Sequence, residues 1–154
     1  MDIIEELRSV VGKLDAGRVD YALCGGLAMA VYAMPRATLD IDLMIQTASL
    51  DEAARAIEPL GFAESGDPMD FKGGAVQIRR FCKVDSQSAE SLILDFLLVT
   101  EETNTAWESR QDVDWNAGTL RVISPEGLIL LKQLRGSGVD QDDIAYLRRL
   151  ADED

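Results

Sequence analysis

The hydrophobic residues of the chain follow a helical period in its first segment. Apolar residues between Ile3 and Leu14 recur every three or four positions, with charged residues between them. This spacing predicts an amphipathic helix that ends near Gly17. Ser49 to Glu52 has the form of a capping box, which predicts the start of a second helix. Further helices are predicted over residues 100–110, 125–134 and 140–150, the last one capped by Asp140.

Polar and apolar residues alternate over positions 39–43 of the stretch 39–45, which predicts a strand. Period two places Asp40 and Asp42 on one face of that strand. The other face carries Ile41, Leu43 and Ile45, which we expect to pack in the core. Other strands are predicted over residues 21–24, 61–64, 75–84, 91–99 and 119–123.

The strand predicted over residues 91–99 is the most hydrophobic stretch, which is typical of a central, buried strand. On the strand before it, Arg79 and Arg80 must face opposite ways. The Gly, Pro and Asp residues of 65–74 predict a loop or hairpin. The order of the elements predicts an α/β (α+β) fold, a mixed β-sheet flanked by helices.

Size and charge restrict the classes of function. The chain of 154 residues suits a single domain, 1–154, with the C-terminal helices of 125–151 packed on its core. A net charge of −13 argues against duplex DNA binding and against anionic membranes. An anionic substrate would need metal ions as escorts.

The cysteines and the N-terminus favour the cytoplasm. Cys24 and Cys82 form no recognisable disulfide framework or CxxC spacing. The acidic, amphipathic N-terminus does not resemble a signal peptide, and the longest apolar run, 22–34, is too short for a membrane span. Histidine is absent from the sequence, which excludes His-based catalysis and His-ligated zinc and leaves carboxylates and lysine for chemistry.

Three features could carry that chemistry, and each has a simpler alternative. The paired carboxylates of Asp40 and Asp42 suit a hard divalent ion such as Mg²⁺, or they form a solvated strand face. Gly25 and Gly26, between a strand and a helix, could hold a phosphate, or they form a tight turn. Asp95, amid apolar residues, is expected to bind metal or to form a structural ion pair.

Together, these features resemble the DNA polymerase beta-type nucleotidyltransferase superfamily. The shared pattern is Gly-Gly after a strand, thirteen residues, Asp-Ile-Asp on a strand, and a lone Asp in a later apolar strand. Residues 36–42 and 128–147 are similar to small bacterial nucleotidyltransferases of the abortive-infection toxin type. One difference is that Val139-Asp140 stands where those chains often have Lys-Asp.

The resemblance implies a role for each matching residue. Asp40, Asp42 and Asp95 would be the catalytic residues and would hold two Mg²⁺ ions, or Mn²⁺, with Asp95 helping to deprotonate the acceptor hydroxyl. Gly25 and Gly26 would pack against the nucleotide phosphates. Lys132 would contact the triphosphate or remain a solvated surface lysine. Arg36 would bind the nucleotide similarly or pair with Asp40.

The sequence therefore predicts a metal-dependent nucleotidyltransferase that uses a nucleoside triphosphate. The hydroxyl acceptor is left open between a protein, a tRNA end and a small molecule. The alternative is a non-catalytic relative that acts as a binding or antitoxin-type partner. A partner protein or a homodimer is compatible with either function.

Overall fold

The computed structural model describes residues 1–32, 40–115, 118–135 and 145–151. The predicted Asp140 cap and Arg36 lie outside these described residues. The strands are β1 Ala22–Cys24, β2 Asp40–Ile45, β3 Ala63–Glu64, β4 Met69–Phe71, β5 Val76–Val84, β6 Ser91–Leu98, β7 Gln111–Trp115 and β8 Gly118–Val122. The helices are α1 Ile3–Ala16, α2 Gly25–Val31, α3 Leu50–Ile57, α4 Asn104–Glu108 and α5 Pro125–Arg135, and residues 145–151 are also helical.

One mixed sheet contains the eight strands of the described residues. Its strand order is β3-β5-β6-β2-β1-β8-β7, and β4 pairs with β5 outside that path. β2 runs parallel to β6, and β1 runs parallel to β8, whereas the other neighbours are antiparallel. The predicted fold class, a mixed sheet flanked by helices, is confirmed.

Burial of one face of β2 fixes the direction in which Asp40 and Asp42 point. Ile41, Leu43 and Ile45 are fully buried, as the alternation predicts. Met44 shares the face of Asp40 and Asp42 and is also fully buried. Only the first half of that face therefore remains accessible, and it carries the two carboxylates.

The N-terminal helix shows the predicted pattern. Asp2 caps α1 by accepting hydrogen bonds from the backbone N–H groups of Ile4 and Glu5, and Gly17 ends the helix. Leu7, Val10, Val11 and Leu14 are buried on its inner face. Among the described residues, no helix is both long and apolar enough to cross a bilayer.

Several local predictions differ from the structure. Ser49 makes no side-chain capping bond, because it ends a short 3₁₀ turn, Thr47–Ser49, that already leads into α3. The helix predicted over 100–110 covers only Asn104–Glu108. Strand β7 was not predicted. On α5, Leu128 is buried, but Leu131 and Leu134 are only partly covered because they line a cavity.

Candidate active site

Four neighbouring strands each place one residue in a row across the sheet. Arg80 of β5 lies opposite Asp95 of β6, Asp95 lies beside Asp42 of β2, and Asp42 lies opposite Cys24 of β1. Residues in register on adjacent strands project from the same face, with Cβ atoms about 5 Å apart. The row therefore places two carboxylates side by side, with a guanidinium at one end and a thiol at the other.

Asp95 is held by Arg80 through both of its carboxylate oxygens. Arg80 Nε donates to Oδ1 at 2.9 Å, and Nη2 donates to Oδ2 at 3.0 Å. Asp95 is only 7% exposed, whereas the Arg80 side chain is 36% exposed. The ion pair that the sequence left as an alternative for Asp95 is therefore present, with a two-bond geometry typical of arginine and carboxylate.

Gly25, which directly follows β1, leaves room for the side chain of Asp42 on the neighbouring strand β2. Its φ of +67° lies in the left-handed region, and a β-carbon there would lie 2.8 Å from both Cβ and Cγ of Asp42. A side chain at this position would force Asp42 to move. The close approach of backbone and carboxylate explains why glycine is the first residue of α2.

A cavity of about 580 Å³ opens over this row. Its charged lining residues are Asp40, Asp42, Lys72, Arg80, Asp95 and Lys132, and the rest of its wall is mostly apolar. The other lining residues are Cys24, Gly25, Phe71, Val76, Ile78, Leu97, Leu128, Leu131 and Leu134. Lys132 is only 8% exposed, so it is no solvated surface lysine. Among the described residues, Gly26 follows Gly25 in α2 but does not line the cavity.

Burial and the charges of the row shift the pKa values of Asp40 and Cys24. Burial, and then the negative charge of Asp95, raises the pKa of Asp40, while Arg80 acts in the opposite direction. Burial also raises the pKa of the Cys24 thiol well above its ordinary value, and Asp42 and Asp95 add to that effect. Cys24 is therefore a protonated, buried thiol and is unsuited to act as a nucleophile.

The donor chemistry fits a magnesium ion that arrives with a phosphate ligand. Asp40 and Asp42 offer oxygen ligands, and Mg²⁺ in proteins is commonly held by one or two carboxylates together with substrate phosphates. No group of three His, Cys, Asp or Glu side chains within the described ranges could hold an ion without such help. Both oxygens of the third carboxylate, Asp95, accept from Arg80.

Comparisons with solved structures identify the fold. The chain is similar to an antigenic nucleotidyltransferase-like protein from Paracoccidioides brasiliensis, with a TM-score of 0.61, 21% identity, and coverage of 94% of this chain and 75% of that one. It is also similar to a candidate nucleotidyltransferase from Thermotoga maritima, with a TM-score of 0.66, 13% identity, and coverage of 99% and 94%. The lincosamide antibiotic adenylyltransferase LnuA, bound to lincomycin, gives a TM-score of 0.63 at 16% identity, with coverage of 94% and 95%.

The chain has the nucleotidyltransferase-like fold. No family model and no curated protein sequence matches it. At these identities, the likeness shows the architecture alone. The roles of individual residues in this nucleotidyltransferase-like chain must therefore be argued from its own geometry.

Arg80 was not predicted to be part of the site. Arg79 and Arg80 were predicted to face opposite ways on their strand, and the structure confirms this because Arg79 pairs with Asp70 instead. The alternation of Val76, Ile78 and Arg80 could have indicated that Arg80 shares a face with apolar residues. Phe71, which is 50% exposed on β4, was also missed as part of the cavity wall.

A second cavity of about 450 Å³ lies near the start of β1 and is not part of this site. Three of its charged residues pair with one another, because Asp20 accepts hydrogen bonds from both Arg110 and Arg121. It contains none of the residues that the sequence singled out. We therefore place the candidate active site at the row of Arg80, Asp95 and Asp42.

Proposed function

We propose that this protein is a nucleotidyltransferase that moves a nucleoside monophosphate from a triphosphate to a hydroxyl acceptor. The observation that carries the proposal is the side-by-side placement of Asp42 and Asp95 in a cavity that also contains Asp40, Gly25 and Lys132. Two adjacent carboxylates repel each other, and keeping them together is useful where a divalent ion is to be bound.

In the proposed reaction, Asp40 and Asp42 would hold two Mg²⁺ ions, with Mn²⁺ as a substitute, and Asp95 would complete the ligand set. Bound ions would lower the pKa of the acceptor hydroxyl and neutralise the leaving pyrophosphate. Asp95 accepts the hydroxyl proton on a carboxylate oxygen. Arg80 donates one hydrogen bond to each oxygen, so its positive charge opposes this role while the pair is closed.

The remaining residues position the nucleotide. Gly25 leaves room for the Asp42 side chain at the start of α2, and we propose that the backbone there also contacts the phosphates. Lys132 supplies a buried positive charge for the triphosphate. We propose that Arg36 also binds the triphosphate, and that Gly26, although it does not line the cavity, contacts a phosphate through its backbone at the start of α2. The whole activity is assigned to one unit, residues 1–154, working in the cytoplasm.

The acceptor class is best supported as a small molecule. A cavity of about 580 Å³ falls in the range typical of small-ligand sites, and much of its wall is apolar. Two structural neighbours act on small acceptors by their names, since LnuA is bound to lincomycin and ANT(2")-Ia is in complex with adenylyl-2"-tobramycin. A protein side chain and a tRNA end remain the competing acceptors.

One observation favours the alternative, a non-catalytic binding or antitoxin-type protein. Arg80 neutralises Asp95, and a carboxylate neutralised in this way needs no metal. The experiment that separates the two functions uses each of the four triphosphates, α-labelled, with Mg²⁺ and separate pools of tRNA, protein and small molecules. The proposal requires label in one pool and none with Asp42→Asn, whereas unlabelled pools throughout would support the binding protein.

A further inference from the structure

Arg80 lies at one end of the row, where its positive charge is next to the carboxylates of Asp95 and Asp42. Asp95 and Asp42 are neighbours in register, and Asp40 is near enough for its pKa to respond to both Asp95 and Arg80. Hydrogen bonding to Asp95 raises the pKa of Arg80, and the charges of Asp95, Asp40 and Asp42 add to this effect against the cost of burial. The guanidinium is therefore attracted by the whole group of carboxylates.

We propose that Arg80 is a resident counter-ion of this carboxylate group, and that a divalent ion has to compete with Arg80 for Asp95. The inference rests on the proposed function, because it concerns the same ion and the same three aspartates. It makes Arg80 a positioning residue that sets how readily an ion binds Asp95.

The pair has one fixed partner and one partner that can move. Asp95 is buried in the middle of β6, between strands β5 and β2. Arg80 has a long side chain that is 36% exposed and lines the cavity. Opening the pair therefore requires rotation of the arginine side chain alone, with no change in the sheet.

The cavity offers the released guanidinium a second partner. A triphosphate bound near Lys132 would present several anionic oxygens, and a guanidinium matches such oxygens with two parallel hydrogen bonds. When an ion and a triphosphate bind together, each member of the pair therefore gains a new partner. The ion binds Asp95, and the phosphate binds Arg80. An ion without nucleotide has to displace the guanidinium without that compensation.

Arg79 provides a matched control on the same strand. It is adjacent in sequence, carries the same charge, and pairs with Asp70 at 3.2 Å on the other face of β5. Removing Arg79 therefore changes the net charge by the same amount without changing the carboxylate row.

The test is a titration of the nucleotide-free protein with Mn²⁺, followed by electron paramagnetic resonance of the unbound ion. Arg80→Gln is expected to bind Mn²⁺ roughly tenfold more tightly than the wild type, because the competing charge is gone. Arg79→Gln should match the wild type. Arg80→Lys, which keeps the charge but loses the two-bond geometry, should lie between them. The double variant Arg80→Gln with Asp95→Asn should lose the gain, since the gained ligand is Asp95.

Two outcomes overturn the inference alone. Equal Mn²⁺ affinity in Arg80→Gln and the wild type would show that Arg80 does not compete with the ion, and a gain that persists after Asp95→Asn would show that Asp95 is not the contested ligand. If no variant binds Mn²⁺, with or without triphosphate, the inference and the proposed function both fail. Should Arg80→Gln not fold, judged by circular dichroism, the Arg80→Lys result decides, and affinity equal to the wild type overturns the inference.

Discussion

The backbone of Gly25 lies against the side chain of Asp42, so closely that a β-carbon at position 25 would lie 2.8 Å from two side-chain carbons of Asp42. The same glycine has a φ of +67°, which side-chain-bearing residues rarely adopt. Two independent constraints therefore require glycine where β1 meets α2, and one of them depends directly on a proposed metal ligand.

Replacing Gly25 is expected to lower both the stability of the protein and its affinity for Mg²⁺-triphosphate. Gly25→Ala is expected to lower the free energy of unfolding by about 1–3 kcal/mol, because the backbone is strained and Asp42 is displaced. Affinity for Mg²⁺-triphosphate should fall about tenfold or more, as measured by calorimetry. The control is Gly12→Ala in α1, where a β-carbon meets nothing within 4 Å, and it should stabilise the helix by up to about 1 kcal/mol. Full binding by Gly25→Ala would contradict the assigned position of Asp42.

Removing both carboxylates of β2 should abolish the stabilisation that ligands provide. Mg²⁺ with a triphosphate is expected to raise the melting temperature of the wild type more than either does alone, because ligands of the folded state stabilise it. Asp40→Asn with Asp42→Asn should show no such rise. In EDTA the double variant should be as stable as the wild type or up to about 1 kcal/mol more stable, since repulsion is relieved. A large loss of stability in EDTA would instead show that these aspartates are structural.

The pKa of Asp40 predicts a pH dependence of stability. Because this pKa is raised in the folded state, the folded protein binds more protons than the unfolded chain between the two pKa values. The contribution of Asp40 to the free energy of unfolding therefore falls as pH rises above its ordinary pKa of about 3.9. Asp40→Asn should gain stability relative to the wild type as pH increases from about 3.5 to 7.

Denaturant unfolding in EDTA at several pH values measures this difference. Asp67 is exposed, and Asp67→Asn serves as the control. Its stability relative to the wild type should not rise with pH in the way predicted for Asp40→Asn. A loss of relative stability by Asp40→Asn with rising pH would mean that the ionised Asp40 is favourably paired in the folded protein.

The position of the aspartates could be predicted from sequence because β2 is buried on one face along its length. Alternation with Ile41, Leu43 and Ile45 leaves only one arrangement that buries the branched residues. Strand β7 shows a similar alternation of polar and apolar residues, but it is shorter and is not buried on either face. It lies at one end of the strand order, and its only apolar residues, Val113 and Trp115, are partly exposed.

The pairing of Arg80 with Asp95 could not be predicted, because it depends on the register between β5 and β6. A shift of one residue would place Arg79 opposite Asp95. The connection over residues 85–90 sets that register, with Asp85 bonding to Gln87 N–H and to Ser88. The sequence showed a buried acid that needed a partner, but it did not show which of two adjacent arginines would supply it.

The central claim, that Asp95 acts on the acceptor in nucleotidyl transfer, is tested most directly by comparing pyrophosphate release with triphosphate affinity in the wild type and Asp95→Asn. The acceptor pool is the one that becomes labelled. The account predicts that Asp95→Asn keeps most of the affinity for Mg²⁺-triphosphate, because Asp40 and Asp42 remain, while pyrophosphate release falls by orders of magnitude. Release at the wild-type rate by Asp95→Asn, or wild-type protein that binds triphosphate but releases no pyrophosphate with any pool, would contradict it.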